Sequence, residues 1–302
     1  MATVQKTTMK RFNGTDWDPI HLATSGDITQ AGDTWQIMGQ PIGAYAVGDT
    51  INATDSVTEI LKKMTQTRIP ATYTAPTLAF DVPTGNKGGN YEAGTSLSST
   101  LRATFTKNDA GNLTNLKIND GDSDLVTGAT TPQSYKYTGV LGDDPLTFTA
   151  TAAYEAGEIK NDNLGDPSPN GQIKAGSISK TVTFTPFRKY FYGADSTGSA
   201  AIADSAGIRA LSGSSGKATK GTKFSINVPV GSTRCTIAFD KTVGTLAQVL
   251  YRESGNANIT GQFNLSEVNV EGAGAYSAKA YNVYTILWAQ PTAGAMTFDV
   301  TI

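Results

Sequence analysis

With one cysteine in 302 residues, no internal disulfide is possible, and the fold must hold through packing and hydrogen bonds alone. Cys235 sits in Arg234-Cys235-Thr236-Ile237-Ala238-Phe239, where positions 235, 237 and 239 are apolar, so it reads as a small hydrophobe on a strand. Histidine is equally scarce. His21 stands alone, which removes most acid–base and zinc schemes, because a zinc site needs three or four ligands. No G-x-S-x-G elbow or phosphate-binding glycine loop is present, and the carboxylate pair Asp143-Asp144 lies in a Gly/Pro-flanked loop. The expectation is a non-enzymatic chain. Charge is scarce too: 24 basic against 26 acidic residues leave a net charge of −2, with no basic cluster for nucleic acid. Its densest basic spots, Lys62-Lys63 and Arg188-Lys189, read as solvated surface pairs. No run approaches a membrane span, and MATVQKTTMKRF lacks the apolar core of a secretory signal.

What the chain has is turn chemistry. Thirty-two glycines and abundant Ser, Thr, Asn and Asp, with 17% charged residues, predict many short strands. The expected fold is all-β: tandem β-sandwich modules, immunoglobulin-like, after a small N-terminal β unit with one short helix. Expected boundaries are 1–70, 71–186 and 187–302.

Lys10–Thr24 concentrates Phe12, Trp17 and His21 around two turn signals, Asn13-Gly14 and Asp18-Pro19. Asn-Gly tolerates the positive φ of a hairpin turn. Trp35, Ile37 and Met38 add further apolar anchors, and two short strands are expected around Gly48-Asp49. Ser56 and Glu59 have capping-box spacing, and Val57, Ile60, Leu61 and Met64 form one apolar helical stripe. A helix this short is marginal alone, so the stripe must meet either neighbouring strands or the same helix of another copy.

Pro70 and Pro76 make Ile69–Thr77 an extended linker. Beyond it, period-two patterns at Leu101–Phe105, Leu116–Ile118, Tyr135–Tyr137, Leu146–Tyr154 and Ile178–Phe184 predict an antiparallel sandwich of immunoglobulin size. Glu155–Gly176, with Pro167, Pro169 and Asn170-Gly171, reads as a long loop. The next strands are expected at Phe224–Val230, Cys235–Phe239, Gln262–Val270, Tyr281–Trp288 and Met296–Ile302; Thr242–Leu250 fits a strand or a short helix. The aromatics from Phe187 to Tyr192 suit either sugar stacking, through Tyr190 and Tyr192, or packing on the sandwich end. Asp120, Asp122 and Asp124 offer oxygens that suit calcium, but the glycine placement and missing glutamate depart from an EF-hand loop, and tight turns explain the cluster as well.

The stretch Arg11-Phe12-Asn13-Gly14-Thr15-Asp16-Trp17 resembles the N-terminal segment of many tailed-bacteriophage structural proteins. Gly48–Leu78 resembles the junction that leads in phage fibres from a particle-proximal unit into an immunoglobulin-like module. The Glu155–Gly176 segment and the opening of the last module are similar to such proteins as well. The resemblance implies a virion protein at the particle surface: a head fibre, tail fibre or decoration protein, made in the host cytoplasm. It implies capsid, portal, neck or tail proteins as partners and a homo-oligomer, commonly a trimer. Phe12, Trp17, His21 and Trp35 are then the anchoring candidates, and Val57, Ile60, Leu61 and Met64 the oligomer contact. The alternative is an adhesin whose C-terminal domain binds a host cell-surface glycan, which would require an exposed aromatic platform at Phe187–Tyr192 or Tyr276–Trp288.

Overall fold

The structure, a computed structural model, describes residues 8–12, 17–21, 34–37 and 41–302. At the N-terminus, β1 (Thr8–Phe12) and β2 (Trp17–His21) pair antiparallel, Phe12 opposite Trp17. The Asn13-Gly14 turn and Met38 lie outside the described residues. Asp18-Pro19 is no turn: Pro19 pairs with Lys10 within β2, as a two-stranded ribbon can accommodate a residue lacking an N–H. Further on, β3 (Trp35–Gln36) pairs with β4 (Thr50–Ile51), followed by α1 (Val57–Thr65).

Two compact units emerge. One contains residues 1–76 together with 107–112 and 155–175; the other holds 77–106, 113–154 and 176–302. The long insert is thus no free surface loop. It is part of the same unit as the N-terminal segment.

The second unit contains two sandwiches. The first comprises β5 (Thr77–Gly85), β6 (Gly89–Glu92), β7 (Ser96–Thr106), β8 (Leu113–Asn119), β9 (Asp124–Gly128), β10 (Gln133–Val140), β11 (Leu146–Tyr154) and β12 (Gly176–Phe187). Its sheets run β10-β7-β5 and β6-β12-β11-β8-β9. Every pairing is antiparallel except β6 with β12, where Gly89 to Glu92 run parallel to Phe184 to Phe187. Alternation fixes the core: Leu97, Leu101, Ala103 and Phe105 from β7 meet Leu116, Ile118, Phe148, Ala150, Ala152 and Phe184 from the facing sheet. Thr147, Thr149 and Thr151 face outward; Thr147 and Thr183 share a hydroxyl hydrogen bond at 3.0 Å.

In the second sandwich, β13 (Lys189–Asp195) is followed by α2 (Ser205–Arg209), β14 (Gly213–Lys217), β15 (Lys223–Val228), β16 (Arg234–Asp240), β17 (Gln248–Tyr251), β18 (Ala257–Asn258), β19 (Asn264–Val270), β20 (Lys279–Leu287) and β21 (Met296–Thr301). Sheet orders are β14-β13-β16-β20-β19 and β15-β21-β17-β18. One face of the five-stranded sheet meets the other sheet through Cys235, Ile237, Phe239, Tyr284 and Phe298. Its opposite face carries a second cluster, in which Ile202 and Ile208 pack with Phe191, Ala238, Tyr281 and Val283. Strands β16 and β20 are therefore buried on both sides and read as nearly continuous apolar runs. β15 stops at Val228, two residues short of expectation, because Pro229 offers no N–H to extend the ladder. The ambiguous Thr242–Leu250 stretch splits into a 3₁₀ turn at Lys241–Val243 and then β17.

Candidate interaction surface

Helix α1 is held by a very small core. Ile60 packs against Ile37, Tyr45 and Ile51, and no residue of the helix is itself fully buried. Its apolar stripe is wider than the core that meets it. Leu61 remains 56% exposed and Met64 39%, and Val57 is half-buried. Ser56 occupies the N-cap position with extended geometry, yet its side chain accepts no bond from the first turn, so the expected capping box is not formed. Upstream, Asp55 instead binds the backbone N–H of Asn52 at 2.7 Å. The helix end is fixed through backbone: Ala44 N–H donates to the Lys63 carbonyl at 2.7 Å. Gly43 (φ +58°) makes that approach possible, since a Cβ there would lie 2.3 Å from the Lys63 oxygen.

Within the same segment Trp35, Ile42, Val47 and Ile69 are also exposed. Isolated exposed hydrophobes are ordinary, but their density along this segment makes it the candidate interaction surface. The side chains of Phe12, Trp17 and His21 lie outside the described residues, so of the four anchoring candidates only Trp35 is placed, exposed on β3. A cleft of about 520 Å³ runs beside α1, lined by Tyr45, Ser56, Glu59, Lys63, Gly165 and Asp166.

The wall formed by residues 162–168 works as a polar clasp. Asp166 receives Lys63 at 2.9 Å and Arg68 at 2.7 Å. Asp162, whose side chain is fully buried, turns Oδ1 to the N–H groups of Leu164 and Asp166 and holds Oδ2 2.9 Å from Arg68. Asn163 accepts from the Ile69 N–H and donates to the Thr67 carbonyl. Ser168 accepts from Ala71 N–H through its hydroxyl and from the Tyr73 hydroxyl through its carbonyl. Asp109 completes the set, accepting from Thr74 N–H and pairing with Lys160 at 2.7 Å. The Ile69–Thr77 linker is extended, as its prolines predict, but it is tied down along its length.

The Lys63 hydrogen bond holds the Asp166 carboxyl below the usual range, and the same contact raises Lys63. Lys160, with the Thr74 N–H, lowers Asp109. Lowered carboxylates stabilise the fold above the ordinary Asp value of about 3.9 and lose that contribution as pH falls through their depressed folded values. Raised Lys63 contributes below the ordinary Lys value of about 10.4 and loses it as pH rises through its higher folded value. Hydrogen exchange of the Ile69, Ala71 and Thr74 amides is therefore expected to be slow at neutral pH. Relative to the intrinsic rate, it should speed up under acid and at about 1 M salt, where screening acts within roughly 3 Å. Equal protection at pH 7 and pH 3 would show the clasp to be energetically idle.

The other predicted positions fall apart from this surface. Tyr190 is only 7% exposed, part of the second sandwich's core, and Tyr192 stacks half-buried on Tyr190 and Phe224. Neither ring is presented as a sugar platform. Tyr281 and Tyr284 are buried, Tyr276 and Trp288 half-buried, so Tyr276–Trp288 does not present one either. Asp120 accepts from the N–H groups of Asp122 and Ser123, a tight turn that lowers its pKa chiefly through the Ser123 bond. Asp124 pairs with Lys117. Among the described residues no group of three or more His, Cys, Asp or Glu side chains is placed to hold a metal ion, and no helix is long and apolar enough to cross a membrane. Cys235 is buried, with its thiol pKa pushed up by desolvation.

The basic pairs are corrected. Lys63 belongs to the clasp, and Arg188 is buried, paired with Asp143 at 2.7 Å. Sequence reasoning missed the clasp carboxylates, although Asn161-Asp162-Asn163-Leu164-Gly165-Asp166 is dense in groups that bond neighbouring backbone. Compared with protein-family models, curated proteins and solved structures, the chain matches none of them.

Proposed function

We propose that this chain is a non-enzymatic structural component of a tailed-phage virion, a head fibre, tail fibre or decoration protein. Its N-terminal unit binds the particle, and its β-sandwiches form the projecting part. The sequence resemblance supplies the setting. The observation that carries the attachment role is the apolar face of α1, where Leu61 and Met64 stay exposed while Ile60 alone serves the small core. Burying that face against another copy gives a homo-oligomer, three copies being what the resemblance implies, and leaves Trp35 and the β1–β2 ribbon for capsid, neck or tail proteins. Binding is by surface complementarity, without turnover.

The test is immunogold electron microscopy of purified particles with an antibody raised against folded residues 188–302. Gold spread over heads supports a head fibre or decoration protein. Gold confined to the tail tip favours the host-binding alternative. Particles that contain the chain yet take no gold would overturn the outward-facing arrangement.

A further inference from the structure

We infer that the two sandwiches are locked by a preformed joint into one stiff body, so that they act as a single strut and not as two beads on a hinge. The covalent connection is minimal. β12 ends at Phe187 and β13 begins at Lys189, leaving Arg188 alone between them. A hinge between domains needs several exposed residues to absorb changes in φ and ψ, and none is available here.

Contacts then come from three separate places on the first sandwich. At the first, Glu92, buried at the end of β6, receives Arg209 of α2 at 2.7 Å and lies 3.4 Å from Lys189. Arg209 also donates to the Glu271 carbonyl at 2.7 Å, so one guanidinium ties strand end, helix and loop together. At the second, the Ala273 N–H donates to the Ala93 carbonyl at 2.8 Å, a backbone bond between the sandwiches. The third is Asp143, which accepts from both Nε and Nη2 of Arg188 and lies 3.5 Å from Lys279. The Arg188 guanidinium carbon lies 5.6 Å from the centre of the Tyr276 ring, within reach of a cation–π contact.

The fit is close enough to set one angle. A Cβ at Gly94 (φ +95°) would stand 2.1 Å from the Ala273 carbonyl oxygen, and one at Gly272 would stand 2.2 Å from the Ala93 oxygen. Backbone here meets backbone, so neither side can yield by turning a side chain. Charge pairs on either side of a backbone contact resist bending and twisting together. Surface pairs contribute little, but Glu92 and Arg188 have side chains only 7% and 6% exposed, where geometry is restrictive.

This inference does not depend on the virion reading and is tested separately. Spin labels are placed in the full chain at Thr138→Cys and Lys217→Cys, both exposed and one on each sandwich, while buried Cys235 stays unreacted. Pulsed dipolar spectroscopy then measures their separation. The expected result is one narrow distance, lost as a broad distribution in Gly94→Val and again in Arg209→Ala, with each sandwich still folded by circular dichroism. Arg209→Ala removes contacts without adding bulk, so it remains informative if Gly94→Val fails to fold. A broad distribution in the unaltered pair, or a narrow one that survives Arg209→Ala in a folded protein, would overturn the proposal.

Discussion

Phe148→Ala is expected to destabilise the first sandwich by about 3–5 kcal/mol, the usual range for removing a buried phenylalanine. Phe148 is fully buried at the centre of β11. Its ring meets Tyr137 edge-on at 5.1 Å and Phe184 at 6.2 Å, in the tilted geometry that aromatic quadrupoles favour. Ala150 and Ala152 follow it inward on the same strand, and they are too small to close the space left behind. With no disulfide to limit the unfolded state, nothing covalent offsets the loss. Total stabilities are only about 5–15 kcal/mol, so the variant should sit near its unfolding threshold. Urea denaturation followed by near-ultraviolet circular dichroism checks this. Phe148→Leu, which keeps most of the volume, should cost under about 1.5 kcal/mol if packing is the cause. Equal losses for both variants would point to strain elsewhere.

The second large effect concerns assembly. If copies associate through α1 as proposed, Leu61→Glu combined with Met64→Glu is expected to abolish that association while leaving the melting temperature of the single copy unchanged. Both side chains already face solvent, so charge there costs the single copy little. Buried between copies, the same carboxylates would need partners or protonation. Ile60→Glu should do the opposite: it strikes the contact with Ile37, Tyr45 and Ile51 and loosens the N-terminal unit itself. Sedimentation velocity beside calorimetry separates the two outcomes. A double variant that sediments like the unaltered chain would remove α1 as the contact between copies.

The strands were legible wherever one face is wet. β7, β11, β15 and β21 alternate because solvent and core take turns along them, and the stripe of α1 stood out for the same reason. β16 and β20 blur this signal, since Ile202 and Ile208 cover what would otherwise be an outer face. Their run of apolar residues marked strands without saying what lay on the second side. Polar contacts were less readable still. Ser56 and Glu59 have the right spacing for a capping box, but spacing alone does not bring the side chains round. Arg188 looked like half of a solvated pair because burial of a charge depends on a partner 45 residues away. Asp166 reaches back 103 residues to Lys63, and no local pattern announces such a match. Tyr190 and Tyr192 carried an ambiguous signal, as stacking on a ligand and stacking in a core use the same rings.

The place of β21 in its sheet carries a consequence for biosynthesis. It follows both β15 and β17 in sequence, yet it lies between them in the sheet and brings Phe298 and Val300 into the core. As the polypeptide leaves the ribosome, β15 is finished some 70 residues before its neighbour arrives, and until then its ladder partners are absent. β17 waits likewise. The second sandwich therefore cannot close progressively during translation; it completes in one late step, while the first, with every strand before residue 188, is already available to fold. A nascent chain halted before Met296 would display two unpaired strand edges and an open apolar face, the features by which incomplete products aggregate instead of assembling.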